Sequence, residues 1–135
     1  EGARNMSNNP NSMRTTVRRV RHLGSAKSGT HHAWHMRLTS FALVPLTIAF
    51  VWIVLSLVGK DYNTVRAALG SPAIAIIMLL FILTSIYHMM LGMQTIIEDY
   101  VHSEGTKTFS LALNIFFSFA VGLACVYAVL RLSFV

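Results

Sequence analysis

Three long stretches of this chain carry almost no charge, near residues 38–58, 72–97 and 108–130. Each matches or exceeds the ~20 residues that a helix needs to cross the hydrocarbon core of a bilayer. Strands are a poor alternative, because the runs lack period-two alternation and an open sheet edge is not tolerated in lipid. Composition points the same way. The 135 residues are 54% hydrophobic and only 12% charged, against roughly 25% charged in an ordinary soluble domain. The expected fold is all-α and integral to a membrane, with three transmembrane helices over about 34–58, 72–97 and 107–131.

The breakers divide the chain accordingly. Residues 1–30 read as a basic N-terminal arm, and 31–135 as a three-helix membrane anchor. Trp34 suits an interfacial anchor, with its apolar body inward and its indole N–H at the headgroups. Pro45 removes one backbone donor within the first span, where a mild kink is expected. Gly59-Lys60-Asp61-Tyr62-Asn63 ends that span, and a helical turn through Val65-Arg66-Ala67-Ala68 is compatible with the loop that follows. Pro72 opens the second span at a favourable first helical position. Cys125 is the only cysteine, so no internal disulfide is possible and a packing role is expected. The first forty residues contain no apolar core with a small-residue cleavage site, so no cleavable signal peptide is expected.

A net charge of +6 raises the question of nucleic acid, and the positions of the charges answer it. Arg4, Arg14, Arg18, Arg19, Arg21, Lys27 and Arg37 all precede or open the first span; these are seven of the eleven basic residues. Such asymmetry holds a segment on the cytoplasmic side of a bacterial membrane, or the matrix side of a mitochondrial one. With the N-terminus inside and three crossings, the 98–106 loop is also inside and the C-terminus is outside. The expected surroundings are membrane lipid and protein partners, not nucleic acid.

Few residues in the spans carry chemistry. His88 lies some sixteen residues past Pro72, deep in the second apolar run. An ionisable residue at that depth is a functional candidate, because leaving it unpaired in hydrocarbon costs free energy. A neutral imidazole ligates haem iron well. A histidine hydrogen-bonded to a neighbouring helix is the competing reading, and the residues alone leave both open. Gly92 follows one turn later on the same face, and its missing side chain lets a flat macrocycle or a second helix come close. No second histidine lies deep within an apolar run, so a second axial ligand would have to come from another polypeptide or a second copy of this one.

Tyr100 stands twelve residues beyond His88, about 18 Å of helix rise, near the headgroup boundary. A phenol there can donate a hydrogen bond to a quinone carbonyl, and the neighbouring Asp99 can orient it or relay protons; an interfacial tyrosine beside a solvated acid is the plainer account. Arg37 opens the first span on the same side, placed to pair with a haem propionate or with lipid phosphate. His31, His32 and His35 read as an interfacial cluster without the further ligands a metal site needs. His102 and Glu104 read as loop residues, with proton delivery as their functional alternative.

Read together, these residues resemble a known family. The segment His88-Met-Met-Leu-Gly92-Met-Gln-Thr-Ile-Ile-Glu-Asp99-Tyr100-Val is similar to the H-x-x-x-G-x-x-x-x-x-x-D-Y-V segment of the smaller (D-type) membrane-anchor subunit of succinate dehydrogenase, respiratory complex II. Gly24-Ser-Ala-Lys-Ser-Gly-Thr30, with His32, Trp34 and Arg37-Leu-Thr39, resembles the start of the first helix in bacterial, especially alphaproteobacterial, members. The resemblance covers about residues 23–132. It implies a partner cytochrome b-type anchor subunit with three more helices, a haem b shared between the two chains with His88 as one axial ligand, and Gly92 packing beside it. It also implies Arg37 near the haem propionates, and ubiquinone bound at Tyr100 with Asp99 adjoining. Met36 departs from the pattern, standing where many relatives have glutamine.

The implied activity is succinate:ubiquinone oxidoreduction in a bacterial inner membrane. FAD sits in a flavoprotein subunit and the clusters in an iron–sulfur subunit. This chain has neither a dinucleotide fingerprint nor a cysteine set for a cluster. Two rivals remain at this point. A transport component would show polar residues meeting at mid-depth on several spans, whereas His88 and Asn114 are the polar residues that stand out here. A structural anchor without a cofactor is permitted by the short loops.

Overall fold

The computed structural model describes residues 27–135, which form four α-helices: α1 (Lys27–Leu57), α2 (Tyr62–Leu69), α3 (Pro72–Tyr100) and α4 (Glu104–Phe134). No strand occurs among the described residues. The arm through residue 26, with the five arginines at 4, 14, 18, 19 and 21, lies outside them. Among the described residues three segments are long and apolar enough to cross a membrane: Gly29–Leu57, Pro72–Tyr100 and Glu104–Phe134. At 1.5 Å per residue the first is about 43 Å long, enough for the hydrocarbon core and much of the headgroup layers.

These helices begin earlier or end later than apolarity alone implies. Helix α1 starts at Lys27 and runs unbroken through Pro45. Helix α3 continues to Tyr100 and α4 starts at Glu104, so the expected loop 98–106 shrinks to Val101–Ser103. Polar residues extend a helix past hydrocarbon when the terminus is favourable. Glu104 lies in the first turn of α4, where its charge complements the helix dipole. The Lys107 amide donates to the Ser103 carbonyl, closing that turn.

The short helix α2 covers the turn expected near Val65–Ala68. Its N-cap is Asp61, whose carboxylate accepts from the Thr64 amide and hydroxyl. Those hydrogen bonds, the hydroxyl's first, hold the Asp61 carboxyl below its ordinary value of 3.8. Gly59 takes a φ of +77° in the link from α1, a conformation that costs glycine little. Gly70 ends α2 under a tighter constraint: a Cβ there would stand 2.5 Å from the Leu132 carbonyl oxygen of α4.

Packing follows side-chain size. Helices α3 and α4 run close together, with Ser118 and Gly122 among the residues between them; Gly122 lies against Ile86. Small residues allow helices in lipid to approach closely. Asn114, buried on α4, donates through Nδ2 to the Met90 carbonyl of α3 at 3.0 Å. Helix α1 stands further off and meets α3 through side chains. Its less exposed positions, apart from Ala49, recur at 32, 36, 39, 43, 46, 50, 53 and 57. Steps of four and three give a 3.5-residue seam, the mark of a shallow left-handed crossing. Phe50 stacks on Phe81 in this seam, with centroids 4.6 Å apart, a pair worth roughly 0.5–1.5 kcal/mol beyond its buried area. The remaining faces are strongly exposed, Phe41 by 78% and Trp52 by 76%. Apolar surface of this kind requires lipid or further helices around it.

Candidate functional site

His88 is half-buried on α3, on the side that meets α1. Its Nδ1 lies 2.8 Å from Oγ1 of Thr39 on α1. The same hydroxyl lies 2.9 Å from the His35 carbonyl and 3.0 Å from the Met36 carbonyl. A hydroxyl carries one proton. If that proton pointed at His88, the Thr39 oxygen would face two carbonyl oxygens at contact distance with nothing between them. The proton therefore belongs to the carbonyls, the common bond of an intrahelical threonine, and Thr39 accepts from His88 Nδ1–H. This assignment leaves the lone pair on Nε2, the nitrogen that can take a metal.

A second crossing repeats this pattern with the partners exchanged. His32 Nε2 on α1 lies 3.1 Å from Thr95 Oγ1 on α3, and Thr95 donates to its own Leu91 carbonyl at 3.1 Å. Thr39 and His32 are seven residues apart, as are His88 and Thr95, so the two crossings stand about 10.5 Å apart along both helices. Beside the Thr39–His88 crossing, His35 meets the Tyr87 ring edge-on, with centroids 6.1 Å apart. Two antiparallel helices joined twice in one register cannot slide by a turn without losing both bonds. In lipid each such bond contributes about 0.6–2 kcal/mol.

Gly92 shares the His88 face, one turn on. No atom lies within 4 Å of the position a Cβ would occupy there. Among the described residues nothing fills the space at Gly92. The apolar groove of about 260 Å³ between α3 and α4 is a different place: Leu83, Ile86, Met90, Ile115, Phe119 and Gly122 are among its lining residues, and His88 is not.

The other expected residues lie apart from this cluster. Arg37 is exposed on α1, two residues from Thr39 and so about 200° around the helix. It is near the depth of His88 but on another side of α1. Asp99 and Tyr100 occupy the last turn of α3, both exposed, Tyr100 by 77%. Twelve residues separate Tyr100 from His88, so the two cannot serve one site. Gln94 donates to Glu98 at 2.7 Å on the way. Thr39, Thr95 and His32 carry, with His88, the α1–α3 bonds, and neither threonine stands out by residue type alone. What marks them is the seven-residue repeat that they share with His88.

A family model described as succinate dehydrogenase/fumarate reductase transmembrane subunit matches residues 11–126. The chain belongs to this family. It is 34% identical over 111 residues to the succinate dehydrogenase hydrophobic membrane anchor subunit of Paracoccus denitrificans, covering 82% of this chain and 85% of that one. It is 35% identical over 104 residues to the subunit of the same name from Rickettsia bellii, covering 76% and 83%. The succinate dehydrogenase membrane anchor subunit of Reclinomonas americana is 33% identical over 95 residues, covering 68% and 79%. Family membership and three apolar spans together make this chain a membrane-anchor subunit of a succinate:quinone oxidoreductase, and support a bacterial inner membrane as its location.

Proposed function

We propose that this subunit supplies one axial ligand to a haem b shared with a second anchor subunit, and part of the site where ubiquinone is reduced. The observation that carries the haem half is the His88 geometry. Its Nδ1–H is engaged by Thr39, its Nε2 is available, and Gly92 leaves open space one turn away. The donor set fits a haem: one imidazole, with no group of three or more histidine, cysteine, aspartate or glutamate side chains suited to a metal ion among the described residues. A haem held by two imidazoles takes up and returns single electrons. His88 would hold it from this side, Gly92 would give it room, and Arg37 would pair with its propionates from the side of α1 away from Thr39.

The quinone half rests on the end of α3. Tyr100 offers an exposed phenol to donate to a quinone carbonyl, and Asp99 beside it orients the phenol or passes a proton from water. Flavoprotein and iron–sulfur subunits are the partners on this side of the membrane. The basic arm and residues 98–104 then face the cytoplasm, with Phe134 and Val135 on the periplasmic side.

The test is purification of the intact complex through a tag on this chain. One b-type haem per copy, together with flavoprotein, iron–sulfur and second anchor subunits, is the expected result. A complex that contains all four subunits and has no b-type absorbance would overturn the haem proposal.

A further inference from the structure

Iron ligation by histidine depends on the nitrogen that does not touch the metal. Its hydrogen-bond acceptor fixes the tautomer and ring orientation and raises the basicity of the ligating nitrogen. In most such sites that acceptor is a carboxylate, a carbonyl or a water. Here it is a hydroxyl, and the structure shows how a hydroxyl is made to serve. Thr39 is buried, 9% exposed, and its only proton is drawn off by the His35 and Met36 carbonyls of its own helix. What remains toward α3 is a lone pair, 2.8 Å from His88 Nδ1. Polarisation by two carbonyls makes that oxygen a better acceptor than a freely rotating hydroxyl.

We infer that Thr39 is a positioning residue for haem ligation: it holds His88 as the Nδ1–H tautomer, with Nε2 presented to iron, and sets the donor strength of the imidazole. The inference rests on the reading of His88 as an axial ligand and goes beyond it by assigning a residue on a different helix. The His32–Thr95 crossing has the same chemistry without His88 and serves as a built-in control. Loss of either bond weakens the α1–α3 contact, but only loss of the Thr39 bond acts on the ligand. A stronger imidazole donor favours ferric over ferrous iron, so weakening it raises the haem midpoint potential.

The experiment compares Thr39→Val, Thr39→Ser, Thr95→Val and His88→Ala in the intact complex. Haem content at limiting haem and midpoint potential are measured by redox titration of the b-band. Thr39→Val is expected to raise the potential and to lower haem retention roughly 10-fold. Thr39→Ser, which keeps the hydroxyl, is expected to match the wild type, and Thr95→Val to leave the potential unmoved. If the valine variant fails to assemble, Thr39→Cys, a weaker acceptor of similar size, is expected to give a smaller shift in the same direction. An unmoved potential in whichever Thr39 variant assembles, with haem lost in His88→Ala, would overturn the role of Thr39 and leave His88 as ligand. Equal shifts in Thr39→Val and Thr95→Val would also overturn it, by tracing the effect to helix packing. Normal haem in His88→Ala would overturn both readings.

Discussion

Substitution at Gly92 separates the needs of this chain from the needs of whatever lies beside it. A Cβ at that position meets nothing within 4 Å, so a methyl group costs the chain no contact. Replacing a mid-helix glycine with alanine stabilises a helix by up to about 1 kcal/mol, roughly a fivefold gain in a folding equilibrium. By the geometry of the described residues alone, Gly92→Ala is neutral or stabilising. If haem or a partner helix fills the space, the sign reverses. Overpacking a filled site costs typically about 1–3 kcal/mol, and leucine suffers more than alanine. The assay is haem per complex by pyridine haemochrome, with the thermal half-life of the detergent-solubilised complex. Haem or half-life should fall from glycine to alanine to leucine. A Gly92→Leu complex with full haem and unchanged half-life would show that only lipid lies there, and would refute the reasoning.

The other expectations are narrower. Gly70→Ala should lower the melting temperature of the complex, because its Cβ would stand 2.5 Å from the Leu132 carbonyl, backbone that cannot swing aside. Tyr100→Phe should slow succinate-to-quinone turnover while succinate oxidation by an artificial acceptor persists; equal loss of both would mean the tyrosine is structural. The Asp61 cap should show a pH dependence of definite sign. Its carboxyl is held below 3.8 by Thr64, so the cap's contribution is complete above that value and is lost as pH falls through the lower folded one. Amide exchange at Thr64 and Val65 should quicken across that fall, and Asp61→Asn should abolish the pH dependence.

Much of the architecture was legible because lipid imposes a simple rule. Charge-free runs around Pro45, Ile86 and Phe117 had to be helices, and Pro72 marked where one begins. Helix ends were less legible. Lys27 to Ala33 and Glu98 to Lys107 are polar enough to read as loop, yet most of them are helical, His32 bonded to Thr95 and Glu104 opening α4. At the site, His88 was visible by its setting and Gly92 by its spacing. The two accounts of His88, ligand or hydrogen-bonded helix contact, turn out to be compatible, since Nδ1 makes the contact and Nε2 is left over. Thr39 and Thr95 were not legible, because an intramembrane threonine usually satisfies itself on its own helix. Both do so here, and that is what turns their remaining lone pairs toward histidines. His32 passed as one of three interfacial histidines, and only the register of α1 against α3 separates it from His31 and His35. Asn114 showed its polarity but not its partner, the Met90 carbonyl.

The haem-ligand role proposed for His88 underlies both the haem and the Thr39 readings. The most direct measurement is the reduced-minus-oxidised spectrum of the purified complex carrying His88→Ala, with assembly checked by subunit content. An assembled complex whose b-type band is lost or strongly altered is the expected result. An assembled complex with the wild-type band would contradict that role.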